Sequence, residues 1–385
     1  MSDAQRLTTP LHDKHVEAGA AMAPEEGWEM PRSYRGLTRE VLDVRARAGV
    51  FDVSHTGRLR IRGDGAIDLL ERVCTADAAR QEDDTALPTL LCNEAGGIID
   101  EGLLLRLEDS WMLLTSPCNR RKVLSHLQAC RSDLDAKVED QTFKTARIAV
   151  AGPAAPALLD AVLGEDVSGL SDGAVRAGTL LIARYVAVRT RQAGLWTLEV
   201  ILPNMVAGQA WRFITQKAGE NCVPPAGMAA REVLRIEAGL PRCGHELDES
   251  IDPITAGLEA RVDPGRDFIG RDALLKIKER GAERRLVGLN IQAPEAGPGR
   301  CTTPAAASAG QGPHADLVPR PGSVVSRTGA APVGSVTSAA YSPALEAVIA
   351  MAYVAREAAG AGTSLLVGSG RQTREAKVVA LPFAR

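Results

Sequence analysis

The sequence has few aromatic residues and lacks several common catalytic motifs. Of its 385 residues, 3% are Phe, Trp or Tyr, which leaves few rings to stack on a flat ligand. There is no G-x-G-x-x-G after a strand-like run, no G-x-x-x-x-G-K-[ST] and no H-E-x-x-H. Dinucleotide-binding, P-loop and zincin interpretations are therefore weak.

The charged residues form no basic stripe. There are 45 Lys and Arg residues against 48 Asp and Glu, which gives a formal net charge of −3. Because the two signs are interspersed, we predict no nucleic-acid partner. No run of about 18 apolar residues occurs, and the first residues are polar, so we also predict no membrane association and a cytoplasmic location.

Cysteine and histidine usage predicts neither a disulfide framework nor a metal site. The seven cysteines contain no C-x-x-C pair and lie mostly among aliphatic residues, a pattern typical of reduced packing cysteines. His12 and His15 are the one close pair of histidines. We interpret this pair as part of a surface turn and predict no bound metal.

The stretch from Asn93 to Gly102 is the most informative part of the chain. Apolar runs on both sides of Gly96-Gly97 predict a β-hairpin. Two adjacent carboxylates, Asp100 and Glu101, follow the turn, and ionised groups in apolar surroundings need a partner or a function. Successive strand residues point to opposite faces, so the two acids must differ in environment. On the residues alone, two solvated acids at a hairpin edge explain the pattern equally well.

Hydrophobic periodicity predicts two similar α+β units followed by short strands. Residues 58–138 have the order β-α-β-β-β-α-β, with Asp64 as the cap of the first helix. A similar order follows, with one strand at 179–189, a second at 195–202 and a helix at 204–218. Five short strands between 324 and 380 predict a small barrel or sandwich.

The predicted fold is thus α+β. It has two adjacent ferredoxin-like, mixed α/β subdomains within residues 1–282, one of them centred on 53–145, and a C-terminal small β-barrel at 283–385. Residues 1–8 are predicted to be disordered, residues 9–34 to lie extended over a domain surface, and residues 293–322 to form a loop.

A carboxylate and an arginine outside the hairpin are further candidates. Glu199 lies in the apolar run Leu198–Leu202, and Arg231 lies on a predicted helix at 226–239. A carboxylate can accept two hydrogen bonds from an N–C–N–H edge and so hold a heterocycle. From the residues alone, Glu199 is equally well explained as an acid on an exposed strand face. A salt bridge to a helix acid likewise explains Arg231.

The number and order of short motifs along the chain resemble the aminomethyltransferase, or T-protein, family of the glycine cleavage system. The resemblance runs from Thr9-Pro10-Leu11-His12 almost to Pro382-Phe383. The motifs between them are Gly27-Trp28-Glu29-Met30-Pro31, Phe51-Asp52-Val53-Ser54-His55, Asn93 to Asp100, Gly152-Pro153, Ala230 to Gly239, Asp267 to Gly270, Val336-Thr337-Ser338 with Ser342-Pro343, and Ile349 to Val354.

The resemblance implies three domains around a central channel that binds tetrahydrofolate. In the family, the lipoyl arm of H-protein delivers an aminomethyl group. N5 of the folate attacks its methylene, ammonia leaves, and 5,10-methylenetetrahydrofolate and dihydrolipoyl H-protein result. Tetrahydrofolate as co-substrate and lipoylated H-protein as partner are therefore expectations for this chain.

The resemblance also assigns site residues. It gives the catalytic position to Glu101 with Asp100 beside it. It gives folate binding to Glu199, Arg231, Thr56, Ser116 and Asn119.

Three departures from the family pattern stand near these residues. Glu101 is longer than the family's Asp, Gln192 stands where the family has a tyrosine, and Pro88 replaces a second tyrosine. They keep two alternatives open. One is a folate-dependent demethylase-like paralogue that acts on a small methylated amine or sulfonium, and the other is a catalytically silent folate-binding scaffold.

Overall fold

The computed structural model consists of helices packed on two five-stranded sheets, a three-stranded sheet and a closed six-stranded barrel. It describes residues 6–163, 166–180, 183–292, 317–369 and 372–384. Within these ranges the strands are β1 Leu7–Thr8, β2 Ala21–Glu25, β3 Trp28–Ser33, β4 Gly49–Asp52, β5 Gly57–Arg62, β6 Ala86–Cys92, β7 Ile98–Leu107, β8 Ser110–Thr115, β9 Lys137–Asp140, β10 Thr145–Ala151, β11 Val175–Leu180, β12 Ala183–Gln192, β13 Leu195–Pro203, β14 Arg284–Ile291, β15 Val324–Ser326, β16 Pro332–Ser342, β17 Ala347–Ala355, β18 Ser364–Ser369 and β19 Gln372–Val379. The α-helices are α1 His12–Glu17, α2 Leu37–Ala46, α3 Ala66–Val73, α4 Arg120–Cys130, α5 Ala155–Leu163, α6 Asn204–Arg212, α7 Met228–Glu237 and α8 Arg271–Arg280.

The first large sheet has the strand order β6-β7-β8-β5-β9 and is antiparallel throughout. The predicted β-α-β-β-β-α-β order and the hairpin at Gly96-Gly97 are confirmed. Helices α3 and α4 bury Leu69, Leu70 and Val123 against this sheet. The predicted Asp64 cap is wrong, because Gly65 occupies the N-cap position without a side-chain bond and its N–H donates to the Asp135 carbonyl oxygen at 2.9 Å.

The second large sheet has the order β11-β12-β13-β10-β4. Helices α5 and α6 bury Leu158, Leu159 and Trp211 against it. The single strand predicted at 179–189 is wrong, because β11 and β12 form an antiparallel pair there. The residues between them are Leu181 and Ile182, so the sequence carries no Gly, Pro or Asn turn signal at that point. The helix predicted at 204–218 ends at Arg212 and continues as a π-helical turn, Phe213–Lys217.

The N-terminal segment is more ordered and more buried than the sequence predicts. Leu7–Thr8, expected to be disordered, pairs with Trp28–Glu29 in a parallel bridge, while residues 1–5 lie outside the described ranges. The segment at 9–34 holds a helix and two strands instead of one extended stretch. His15 is buried and not in a surface turn. Its Nε2 donates to the Asp52 carboxylate at 2.9 Å, and its Nδ1 shares a hydrogen bond of 2.8 Å with the Tyr34 hydroxyl.

The C-terminal strands close into a barrel in the order β14-β17-β16-β15-β18-β19, which excludes a sandwich. Helix α7 packs against this barrel through Val233 and Ile236. On the same side, the Arg235 guanidinium donates to Glu246 and to the Ser338 hydroxyl of β16. The barrel therefore fixes the orientation of α7. Most of the loop predicted at 293–322 lies outside the described residues.

None of the helices in the described ranges has the length and apolar character of a membrane span. The six cysteines that fall within these ranges are free. Cys301 lies outside them.

Arg58 is a fully buried cation at the junction of the two large sheets. Its guanidinium donates to the carbonyl oxygens of Ser54 and Thr56, which precede β5, at 3.0 and 2.6 Å. It also donates to the carbonyl oxygens of Thr142, between β9 and β10, and of Thr145, the first residue of β10, at 2.6 and 2.9 Å. Burial lowers the pKa of Arg58 to about 9. One side chain thus joins the segment that enters the first sheet to the segment that leaves it.

We predict that Arg58→Met lowers the free energy of unfolding by about 3 kcal/mol or more, because it leaves several buried carbonyl oxygens without donors. The measurement is urea unfolding followed by tryptophan fluorescence. Arg62→Met is the matched control, since Arg62 lies on the same strand with an exposed ion pair to Glu139 and its loss should leave the free energy of unfolding nearly unchanged. Equal losses in the two variants would contradict the assigned role.

Candidate functional site

A cavity of about 560 Å³ lies between the two large sheets and α7. Its described walls come from β7, β10, the end of β12, β13 and α7. Six arginines and four acids line it, so its net charge is positive, which favours an anionic ligand. Phe51 is the one aromatic residue among the described lining residues. Recognition in this cavity therefore depends mainly on charge and hydrogen bonds.

Glu199 is a fully buried carboxylate in the cavity wall. Its Oε2 accepts from Nε and Nη2 of Arg147, and its Oε1 accepts from the side-chain amide of Gln192. Arg147 is on the neighbouring strand. Because Glu199 is in register with Ala149, Arg147 is its diagonal neighbour on the same face. The interpretation of Glu199 as an exposed strand acid is excluded by this burial.

Arg231 and Thr56 adjoin this ion pair. Nη2 of Arg231 donates to the side-chain oxygen of Gln192 at 3.3 Å. Burial lowers the pKa of Arg231, and the negative charge of Glu199 opposes that shift. The Thr56 hydroxyl accepts from Nη1 of Arg147 at 2.9 Å and donates to the Val53 carbonyl oxygen at 2.7 Å. Thr56 therefore orients the arginine that holds Glu199.

The two hairpin acids point to opposite sides of β7, as alternation predicts. Asp100 is completely buried. Its carboxylate accepts from the Ser116 N–H at 3.0 Å, from the Ser116 hydroxyl and from the Asn119 amide at 3.3 Å. Burial raises the pKa of Asp100 to about 7 in spite of these donors. Ser116 lines the cavity, whereas Asp100 and Asn119 lie behind its wall.

Glu101 faces the cavity, and its side chain is 26% exposed. Nη1 of Arg261 lies 3.3 Å from its Oε2. Burial raises the pKa of Glu101, and the Arg261 charge offsets part of that shift. The cavity thus brings together five of the predicted site residues, Glu101, Glu199, Arg231, Thr56 and Ser116.

Comparison with known proteins places the whole chain in one family. Residues 11–265 match the family model of the GCVT N-terminal domain. Residues 309–384 match the glycine cleavage T-protein C-terminal barrel domain. The chain belongs to the glycine cleavage T-protein family.

Full-length relatives are similar over nearly their entire sequences. The aminomethyltransferase of Rubrobacter xylanophilus is 33% identical over 98% of this chain and 94% of its own length. The aminomethyltransferase of Streptomyces avermitilis is 34% identical over 100% and 99%. The crystal structure of glycine cleavage system aminomethyltransferase T from Bartonella henselae superposes with a TM-score of 0.86 at 27% identity and covers 98% of both chains. The predicted family and the α+β fold with its C-terminal barrel are confirmed.

Two arginines of this T-protein site were not predicted from the sequence. Arg147 is a cation in the apolar strand β10, where alternation puts it on one face with Ala149 and Ala151. A cation at such a position needs a partner, so a signal was present. Arg261 lies in a short 3₁₀ turn, Glu259–Arg261, without periodicity. No local pattern points from Arg261 to Glu101.

We predict that Asp100→Asn flattens the pH dependence of stability between pH 4 and 7. Between the ordinary Asp pKa of about 4 and the folded value of about 7, the folded state binds this proton and the unfolded state does not. The contribution of Asp100 to the free energy of unfolding therefore falls as pH rises. Urea unfolding at a series of pH values measures the slope.

The control for the Asp100 experiment is Asp68→Asn, an exposed carboxylate on α3. It should leave the slope close to that of the wild type. An unchanged slope in Asp100→Asn would show that the buried carboxyl does not titrate in this window.

Proposed function

We propose that this T-protein transfers a one-carbon unit from aminomethyl-lipoyl H-protein to tetrahydrofolate and releases ammonia. The observation that carries the proposal is the cavity in which Arg231 and the buried Glu199 share one wall region and Glu101 faces the same space. Membership of the T-protein family supports it. In the reaction the C–S and C–N bonds of the aminomethyl group break and two C–N bonds to the folate form. The two folate nitrogens lose one hydrogen each, and these hydrogens end on the released ammonia and on the free thiol of the lipoyl arm.

Glu199 is the group that recognises the pterin ring. A carboxylate accepts hydrogen bonds from the N–C–N–H edge of a pterin, and a guanidinium donates to an adjacent ring acceptor. Arg147 holds the Glu199 carboxylate in one orientation through bonds to its Oε2. Arg231, on α7, reaches the same place, where its Nη2 donates to Gln192. The positive lining of the cavity also suits the anionic glutamate tail of a folate.

Glu101 is the proton-accepting group of the transfer. It is the hairpin acid that faces the cavity, and burial raises its pKa above that of an ordinary glutamate. A raised pKa makes a carboxylate a better acceptor for the proton of an attacking amine near neutral pH. Arg261 fixes the position of the carboxylate. Asp100 and Asn119 act as positioning residues, because they hold the Ser116 segment from behind the wall.

We predict that Glu199→Gln weakens tetrahydrofolate binding by about 10- to 100-fold, because hydrogen bonds to a charged acceptor contribute about 1.5–3 kcal/mol. Isothermal titration under anaerobic conditions measures the affinity. Glu220→Gln, an exposed acid after the π-helical turn, is the control. Arg231→Met should also weaken binding, and it tests the pocket without breaking the buried Arg147–Glu199 pair. Wild-type affinity in both site variants would refute the pterin assignment.

We predict that Glu101→Gln lowers the rate of one-carbon transfer by about 100-fold or more while folate affinity stays within about twofold, because the loss is of proton transfer. The assay follows methylenetetrahydrofolate formation from aminomethylated H-protein. Glu94→Gln, an exposed acid on the same hairpin, should keep the wild-type rate.

Glu101→Asp restores the shorter acid of the family and should raise turnover. Wild-type turnover by Glu101→Gln would refute the catalytic role. An absence of turnover in both the wild type and Glu101→Asp, with folate binding intact, would instead support the scaffold alternative.

A further inference from the structure

The side chain of Gln192 bridges the two groups assigned to pterin recognition. Its amide nitrogen donates to Oε1 of Glu199, and its carbonyl oxygen accepts from Nη2 of Arg231 at 3.3 Å. A carboxamide thus offers one donor to the carboxylate and one acceptor to the guanidinium. The pyrimidinone edge of a pterin offers the same complement, with N–H donors next to a carbonyl oxygen. Gln192 therefore imitates the ligand edge.

The hydrogen-bonding capacity of Glu199 makes this imitation competitive. Its Oε2 already accepts from two nitrogens of Arg147. Oε1 can accept two donors, and the Gln192 amide is one of them. A heterocycle that donates two N–H groups to Glu199 needs both acceptor positions of Oε1 and must therefore displace the Gln192 amide. The acceptor atom of the heterocycle then takes the hydrogen bond from Arg231 that the Gln192 oxygen accepted before.

The backbone around Gln192 allows its side chain to leave without a change in the sheet. Gln192 is the last residue of β12 and pairs with Leu195 across the two-residue turn Ala193-Gly194. Both turn residues have positive φ, 53° and 73°, as the mirror-image turns of tight hairpins require. The turn holds the strand ends in register, so the amide can move away by rotation about its side-chain bonds.

We propose that Gln192 is an internal competitor that occupies the heterocycle-recognition groups and sets the affinity and specificity of the cavity. A ligand that presents only a donor or only an acceptor at this edge cannot replace both bonds of Gln192 and is rejected. The proposal rests on the proposed function of the same cavity and adds a role for a residue that is a tyrosine in the family pattern.

Removal of the competing amide should tighten ligand binding. The apparent dissociation constant equals the intrinsic one divided by the fraction of molecules in which the site is open. Gln192→Met keeps the length of the side chain but has no amide, and Gln192→Ala removes the side chain beyond Cβ. We expect both to lower the dissociation constant for tetrahydrofolate about tenfold, since the lost bonds are to charged groups. Gln209→Ala, exposed on α6, is the control and should be unchanged.

The experiment is isothermal titration of the full chain with tetrahydrofolate, followed by steady-state transfer from aminomethylated H-protein. The expected result is a lower KM for tetrahydrofolate at unchanged kcat in both Gln192 variants. If Gln192 had only a structural role, its substitution would lower the stability of the protein and would not lower KM at unchanged kcat.

Three outcomes overturn the proposal. If the wild type binds folate and Gln192→Met binds it equally or more weakly, Gln192 is no competitor, although the function of the cavity stands. If Gln192→Ala alone tightens binding, volume and not hydrogen bonding is responsible. If none of the four proteins binds folate, the proposed function fails and the role of Gln192 fails with it.

Discussion

The buried ion pair between Arg147 and Glu199 is the constraint on which the candidate site depends. Each charge would be costly to bury alone, and removal of one partner from such a pair costs about 3–5 kcal/mol. Neighbouring strands supply the two residues, and Thr56 and Gln192 complete their hydrogen bonds. The sheet therefore cannot form its cavity-facing side without also fixing the direction of the Glu199 carboxylate. The ion pair thus preorganises the candidate binding group of the second sheet.

The remaining groups reach the cavity because other elements are fixed against that sheet. Arg58 joins the chain segments at the junction of the two large sheets, which sets β7 and Glu101 opposite β13. The barrel holds α7 through Ser338 and Arg235, and this sets the position of Arg231. Parts of the chain that lie far apart in sequence thus meet in one cavity. No single segment contains the site.

Local patterns were sufficient to predict those parts of the structure that depend on local chemistry. The Gly96-Gly97 hairpin, the opposite faces of Asp100 and Glu101 and the strand-rich C-terminal region all follow from alternation and turn residues. The errors have tertiary causes. His15 is buried because Asp52, 37 residues away, accepts from it, and the N-cap of α3 is set by contact with Asp135.

The site shows the same division between local and distant information. The resemblance to a family indicated Glu199, Arg231 and Glu101, but their partners were missed. Arg147 is 52 residues from Glu199, and Arg261 is 160 residues from Glu101. Neither separation matches the repeat of a helix or a strand, so these charge pairs can be recognised only in the folded structure. A buried carboxylate can be suspected from its apolar strand, but its counter-charge cannot be assigned from a single sequence.

The scarcity of aromatic residues explains why the polar bridge at Gln192 carries so much of the recognition. Phe51 is the one ring among the described lining residues, so stacking, which contributes about 0.5–1.5 kcal/mol for an aromatic pair, is limited. Selectivity must then come from the pattern of donors and acceptors, which discriminates strongly only when a mismatched ligand leaves buried polar groups unpaired. Gln192 satisfies Glu199 and Arg231 in the free protein, so the cavity is stable without a ligand. A ligand binds only if its own hydrogen bonds to Glu199 and Arg231 are more favourable than those of Gln192. A heterocycle with the complete donor and acceptor edge can replace both bonds.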